Sequence, residues 1–216
     1  MRKLFTILFI GLLIFNLSAQ TVGLKAGFNL GNITWGSDAK DALVAMNATS
    51  NMMIGISVGA TGSFELSDIL TLNTELNFTQ KGTKLSIDGF DDDLSTKINF
   101  IDIIPAISYK ITDVLSASMG PYVGFALSGT QDVAEIDLIT GETSIKSEAI
   151  DFEESEINTL DYGLNIGVSY VLNEIFVINT GYSIGFADLN GGDQGGLDLS
   201  EKTNGIYFSI GYLFDN

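Results

Sequence analysis

Apolar and polar residues alternate with period two along most of the chain, the signature of strands that bury or present one apolar face. The closing segment, Asn204 to Phe214, shows it without interruption: Ile206, Phe208, Ile210, Tyr212 and Phe214 fall on one side, Gly205, Tyr207, Ser209 and Gly211 on the other. The first such segment, about Thr21 to Asn32, sets Val22, Leu24, Ala26, Phe28 and Leu30 against Gly23, Lys25, Gly27 and Asn29. Six more strands are expected at about Met52 to Leu66, Ile69 to Lys81, Thr96 to Ile111, Val114 to Ser128, Asn158 to Tyr170 and Ile175 to Phe186. They are long for globular strands, whose usual length is about 5–6 residues. The strand at 96–111 is apolar on both sides; we assign Ile101, Ile103, Ile107 and Tyr109 outward and Asp102 inward. Pro105 removes a ladder donor in its middle and predicts a local bulge.

The connections fall into two alternating classes: short turns near residues 67, 112 and 173, and long loops at about 33–51, 84–95, 129–157 and 187–203. This asymmetry predicts an all-β fold, an eight-stranded antiparallel up-and-down transmembrane β-barrel with short periplasmic turns, long external loops and both termini periplasmic. Localisation in the outer membrane follows from it. Tyr212 and Phe214 form the signal of the closing strand, through which the barrel-assembly machinery is the expected partner, with outer-membrane lipid and lipopolysaccharide around the wall. A soluble lipocalin-like barrel is the structural rival. It would reverse the faces, yet the Gly, Ser, Asn and Thr rows hold little of the Lys and Glu that a water-facing surface carries. In the first long loop, Ser37 to Met46 suits one or two helical turns, whose Ala42, Leu43 and Met46 either cap the lumen or pack on a neighbouring loop. Trp35 and the tyrosines Tyr109, Tyr162, Tyr170 and Tyr212 are expected at strand ends as interface anchors.

Arg2 and Lys3, an apolar run from Leu4 to Leu17 and then Ser18-Ala19-Gln20 have the build of a cleaved signal peptide, residues 1–19, leaving 20–216 as the barrel domain. The alternative, a retained anchor, is short of the roughly 20 residues that span lipid. The 27 acidic and 10 basic residues give a formal charge of −17, which argues against nucleic acid as a partner. The chain has no cysteine, so neither disulfides nor lipidation enter.

Several short stretches resemble the PorT-type outer-membrane β-barrel family of Bacteroidetes. They are Gly23-Leu24-Lys25-Ala26-Gly27, Phe100-Ile101-Asp102-Ile103-Ile104-Pro105 with Tyr109-Lys110, Gly120-Pro121-Tyr122-Val123-Gly124, Leu160 through Gly167, and Gly211-Tyr212-Leu213-Phe214. The resemblance covers nearly all of the chain after the signal segment and is specific only as a combination. Two isoleucines separate the acid and proline of the fourth strand here where the family usually has one, which leaves the register at Pro105 open. The resemblance implies an eight-stranded outer-membrane barrel. It implies little about activity, since one branch is linked to the type IX secretion machinery and most members have no assigned role.

With no histidine and no cysteine, the usual general bases and soft nucleophiles are missing. No cofactor is implied and no catalytic residue is assigned. The inward carboxylates Glu75 and Asp102 face each other on adjacent expected strands, as an acid and base pair or, more in keeping with a narrow barrel, as partners of Lys25, Lys81 and Lys110 in a lumen charge network. Outside, Asp88, Asp91, Asp92 and Asp93 cluster in one loop, and the 129–157 loop carries nine more acids. Asp91, Asp92 and Asp93 are candidate ligands for a hard cation bridging to lipopolysaccharide. The other reading is solvated charge that keeps the loops soluble. The function expected is a non-enzymatic structural or interaction component of the envelope, with an envelope protein as partner for the acidic loops. A secretion accessory and a small-ligand or ion-conducting barrel are the alternatives, the second disfavoured because an eight-stranded barrel is filled by its own side chains.

Overall fold

A computed structural model describes residues 21–89, 92–136, 143–191 and 195–214. The signal-like segment 1–19 and Asp91 lie outside them, as do Asp137, Glu142 and Asp193 of the outer loops. The elements in chain order are β1 (Thr21–Trp35), α1 (Ser37–Ala45), β2 (Ala48–Ser67), β3 (Leu70–Ile87), β4 (Leu94–Lys110), β5 (Leu115–Ile136), β6 (Thr143–Ala149), β7 (Leu160–Val171), β8 (Phe176–Gly185) and β9 (Glu201–Phe214).

Eight of these strands close into an antiparallel ring, β1-β2-β3-β4-β5-β7-β8-β9, with β9 returning to β1. The closing seam runs from Val22↔Phe214 to Trp35↔Glu201 without a register break. Phe28 and Phe208 stack across it with centroids 5.6 Å apart, and Tyr212 meets both Phe176 and Phe214 edge-on near the short-turn end. Phe28–Phe208 and Phe176–Tyr212 are cross-strand aromatic contacts of the kind that hold two strands in one register, while Tyr212 and Phe214 are neighbours on β9.

The alternation settles which way the wall faces. Leu24, Ile54, Ile56, Val58, Met119, Val168, Ile210 and Phe214 stand on the outer surface, whereas Asn29, Asn77, Asp102, Asp161, Asn165 and Ser209 are buried inside. A continuous outward belt of this kind is stable only against lipid, and closure leaves no unpaired edge in it. Among the described residues no helix is long and apolar enough to cross a membrane.

The structure differs from the sequence reading at the loop end and at the proline. β2, β3, β5 and β9 run well beyond the expected strand ends, and the supposed 129–157 loop contains β6, which pairs with Thr130 to Ile136 of β5. That edge of β5 is occupied lower down by β7, over Leu115 to Phe125, so β6 continues the wall above the ring. Polar, acid-rich strands outside the membrane have no apolar row, and period-two reading is blind to them. At Pro105 there is no bulge: β3 and β4 pair continuously through Thr74↔Pro105, and the register shift of β4 against β5 lies higher, between Asn99 and Phe100. On the register set by Ile103↔Val123 and Ile107↔Met119, Pro105 stands opposite Pro121, and the β4–β5 ladder skips there without shifting. Both prolines lack the same cross-strand bonds, so the loss is confined to one rung.

Candidate functional site

The interior holds a small set of paired charges. Lys81, on the inward row of β3, sends its Nζ to Asp102 Oδ1 of β4 at 3.0 Å and to Asp161 Oδ2 of β7 at 2.9 Å. The same ammonium lies over the Tyr122 ring, 4.4 Å from its centroid, and over Phe100 at 4.8 Å. Asp161 is fully buried; its Oδ2 also accepts from Thr203 Oγ1 at 2.8 Å, and the Tyr122 hydroxyl lies between its two oxygens, 3.3 Å from Oδ1 and 3.2 Å from Oδ2. Each of its oxygens is therefore engaged, as a buried carboxylate requires. Nearer the short-turn end, Lys25 of β1 reaches Glu75 Oε2 of β3 at 2.5 Å, and Asn77 Nδ2 donates to the same oxygen at 2.9 Å.

Glu75 and Asp102 thus belong to two separate pairs, each held by its own lysine, and do not form a two-carboxylate centre. Lys110 is a correction: it lies at the end of β4 on the rim, half exposed and bonded to Asp113 of the turn at 2.9 Å, because the inward row has left the lumen by that point. Asp113, fully exposed, is held below the ordinary carboxylate range by its hydrogen bond from Lys110. The sequence reading missed Asp161, Tyr122, Phe100 and Thr203. Asp161 was legible as the one acid in an inward row of Gly, Asn and Ser, but nothing local tied it to a lysine 80 residues away.

Above Lys81 the lumen is roofed. Ile98, Phe100, Ile150 and Leu189 form an apolar cluster with Ala126, Phe152 and Ile157 packed against it. Trp35 is a second correction, since it does not anchor at the interface: it faces inward, lines the small cavity of about 50 Å³ under this roof and donates from Nε1 to Ser50 Oγ. α1 does not cap the mouth. Val44 and Met46 are exposed on it and none of its residues is buried. Gly36 offers it no side-chain cap; instead Asp198 accepts from the Ser37 N–H at 2.9 Å, and Asp38 returns a bond by accepting from the Asp198 N–H at 2.6 Å. Hydrogen bonds to the carboxylate, from the Ser37 N–H first and the Ser200 hydroxyl next, lower Asp198 from 3.8 to about 2.

Below Lys81 lies a second cavity of about 80 Å³, lined by both ion pairs and by Asn29, Asn77, Asn165, Ser183 and Tyr207. Lys81 borders both spaces and divides them. On the outside, Asp92 and Asp93 share an open cleft with Lys84 and Ser95, and Asp93 accepts from Ser86 Oγ. Among the described residues no group of three Asp, Glu, His or Cys converges as a metal site.

The family profile described as Outer membrane protein beta-barrel domain matches residues 18–191. No curated protein matches the chain by sequence. Among solved structures, Ail, the attachment invasion locus protein of Yersinia pestis, is 13% identical, with 90% of this chain and 98% of that one covered and a TM-score of 0.46. Neisserial surface protein A is 12% identical over 89% and 97%, with a TM-score of 0.48. The outer membrane protease OmpT of Escherichia coli is 7% identical over 90% and 94%, with a TM-score of 0.42.

Proposed function

Because the chain belongs to the outer membrane protein beta-barrel domain family, we propose that it works as a closed, non-enzymatic barrel of the outer membrane, an interaction component of the envelope that offers its acidic outer surface to a protein partner. The observation that carries this reading is the double obstruction of the lumen. An apolar roof closes the outer mouth, and beneath it Lys81 is pinned across the bore by two carboxylates. What remains for function is the outside. There the β5–β6 hairpin and the segment after it carry Asp132, Glu135, Glu148, Asp151, Glu153, Glu154 and Glu156, with Lys146 bonded to Glu148 at 3.0 Å and to Glu135 at 3.5 Å. Strands β5 and β6 hold Asp132, Glu135 and Glu148 in place, and the turns after β6 carry the other four acids beside them, which favours a basic partner surface over mere solvation.

The first and last described residues, Thr21 and Phe214, lie at the short-turn end of the ring, so we assign the short turns and that end to the periplasm and the hairpin to the exterior. Catalysis is disfavoured because the chain lacks histidine and cysteine and Glu75, Asp102 and Asp161 are each held by a lysine. The PorT-type stretches keep one further reading in view, an accessory of a type IX-like secretion assembly, which predicts cargo stranded in the periplasm when the gene is lost.

Affinity capture of a tagged copy from gently solubilised outer membranes, followed by mass spectrometry, tests the proposal. A stoichiometric envelope partner that is lost when Glu148, Asp151, Glu153 and Glu154 are changed to Gln or Asn supports it. A partner retained by that variant, or no partner at all, refutes the acidic surface as the working part.

A further inference from the structure

β6 is paired on one side only. Its partner is β5, from Thr130↔Ala149 to Ile136↔Thr143, and among the described residues no other strand or loop bonds its backbone. β7, which would fill the other edge, begins at Leu160 and meets β5 only between Leu115 and Phe125, below the hairpin. The ladder itself shows which backbone groups are left over. One step below Thr130↔Ala149, the Ile150 N–H donates to the Gly129 carbonyl at 2.9 Å. Residues of an antiparallel strand bond their partner and point away from it in turn. Ser144, Lys146 and Glu148 therefore bond β5, while Ile145, Ser147 and Ala149 turn their N–H and C=O groups to the open edge; Ser147 and Ala149 are exposed there.

An unpaired edge is a template for a further strand, and a lysine in mid-strand is a usual guard against that. Here the guard is engaged: Lys146 is bonded to Glu148 at 3.0 Å and to Glu135 at 3.5 Å, across the face of the hairpin. It is also the only basic residue from 129 to 157, against seven described acids in the hairpin and the segment after it. We infer that β6 takes up a basic, extended segment of a partner protein as an added strand. The backbone groups of Ile145, Ser147 and Ala149 fix the segment by ladder bonds, and the acids beside them select its charge. This rests on the reading of the acidic outer surface as the working part and names how the partner is held. A second copy of this chain is the poorer occupant, because pairing β6 with β6 brings two acid-rich hairpins together and like charges across a ladder repel.

The test uses the refolded barrel in detergent micelles, an acetylated heptapeptide alternating lysine with valine as the probe, and solvent exchange of single amides read by NMR. Exchange at Ile145, Ser147 and Ala149 should slow about tenfold once the peptide is ten times its Kd. The same peptide N-methylated at every residue keeps its charge, cannot join a ladder and should leave the three amides unchanged. If both peptides bind alike and the three amides exchange as before, charge alone attracts them; strand addition is overturned and the acidic-surface reading stands. No binding of either peptide also overturns the inference, and the capture experiment then judges the broader reading by itself. Slowing of the three amides as the barrel is concentrated without peptide gives the edge to a second copy and overturns it too. Ile145→Pro with Ala149→Pro removes two outward donors, spares the bonds to β5 and every acid, and should weaken the peptide about tenfold; unchanged affinity in the folded variant counts against the edge. Should that variant fail to fold, the amides of the natural chain with the two peptides decide.

Discussion

Lys81 is bonded to more of the interior than any other charged side chain, since two acids and two aromatic faces surround one ammonium. Removing it strands Asp102 and Asp161 in a dry wall, and leaving a buried charge without its partner costs about 3–5 kcal/mol. Lys81→Met should therefore lower the urea midpoint of the refolded barrel by that order. Adding Asp102→Asn and Asp161→Asn to Lys81→Met should return much of it, because the penalty is the orphaned charge and not the loss of the bridge itself. A different prediction attaches to Asp198, outside the membrane. Its carboxyl is lowered from 3.8 to about 2 in the folded protein, so the grip on α1 is complete above pH 3.8 and is lost as pH falls through about 2. Pepsin digestion should spare the 36–47 segment at pH 4 and cut it near pH 2; equal cutting at both would mean that the clasp does not order the helix. The inward place of Asp102 was legible from period two, as were Lys25 and Glu75 on their rows. Beyond Asp102, the company kept by Lys81 was not, because it comes from β5 and β7 as well as β4 and only closure brings these strands together.

Elements fit this narrow bore by yielding space at chosen points. Tyr207 lies on the inward row of β9, and its hydroxyl occupies the place where a Cβ on Gly167 of β7 would stand, 2.2 Å away; the next atom, the Thr180 carbonyl oxygen, is at 3.1 Å. Gly167→Ala should cost about 1–3 kcal/mol as overpacking, and Tyr207→Leu in the same chain should recover most of it, a non-additivity read by a double-mutant cycle in urea. The two strands β4 and β5 show the same economy at their prolines. A Cβ on Gly120 would come within 2.0 Å of the Pro105 carbonyl oxygen, so the residue before Pro121 has to be glycine for the strands to stay close where their bonds are missing. Pro121→Val restores one donor opposite Pro105 and should add about 1 kcal/mol, with one newly slow amide in hydrogen exchange. No slow amide at position 121 would mean that the rung is held open by something besides the prolines. The number of ring strands, their faces and the short turns were legible in sequence because lipid enforces alternation on every membrane-crossing residue. The bulge expected at Pro105 was not found, since a proline was weighed alone and its partner on the next strand sets the outcome.

At the scale of the whole molecule, a barrel of eight strands has little bore to begin with, and here two layers of different chemistry obstruct it. The roof of Ile98, Phe100, Ile150 and Leu189 excludes water by being apolar, as hydrophobic constrictions do in channels. The Lys81 layer excludes ions by occupying the bore with a cation already neutralised by two acids. Because the layers are stacked with Lys81 bordering the spaces on both sides, either alone suffices. Planar bilayers holding the natural chain should be silent, and so should bilayers holding Ile150→Ser with Phe152→Ser, which wets only the roof. Lys81→Ser alone should also stay silent behind an intact roof. The three changes together should admit small stepwise cation currents, since the two acids left behind attract cations into a wetted bore. Heat-modifiable migration on gels checks that each variant is folded before it is recorded. Steady conductance from the natural chain would refute the closed barrel, and silence from the folded triple variant would place a third obstruction below, among the Ser63, Asn73 and Ser108 chain that bonds across the short-turn end.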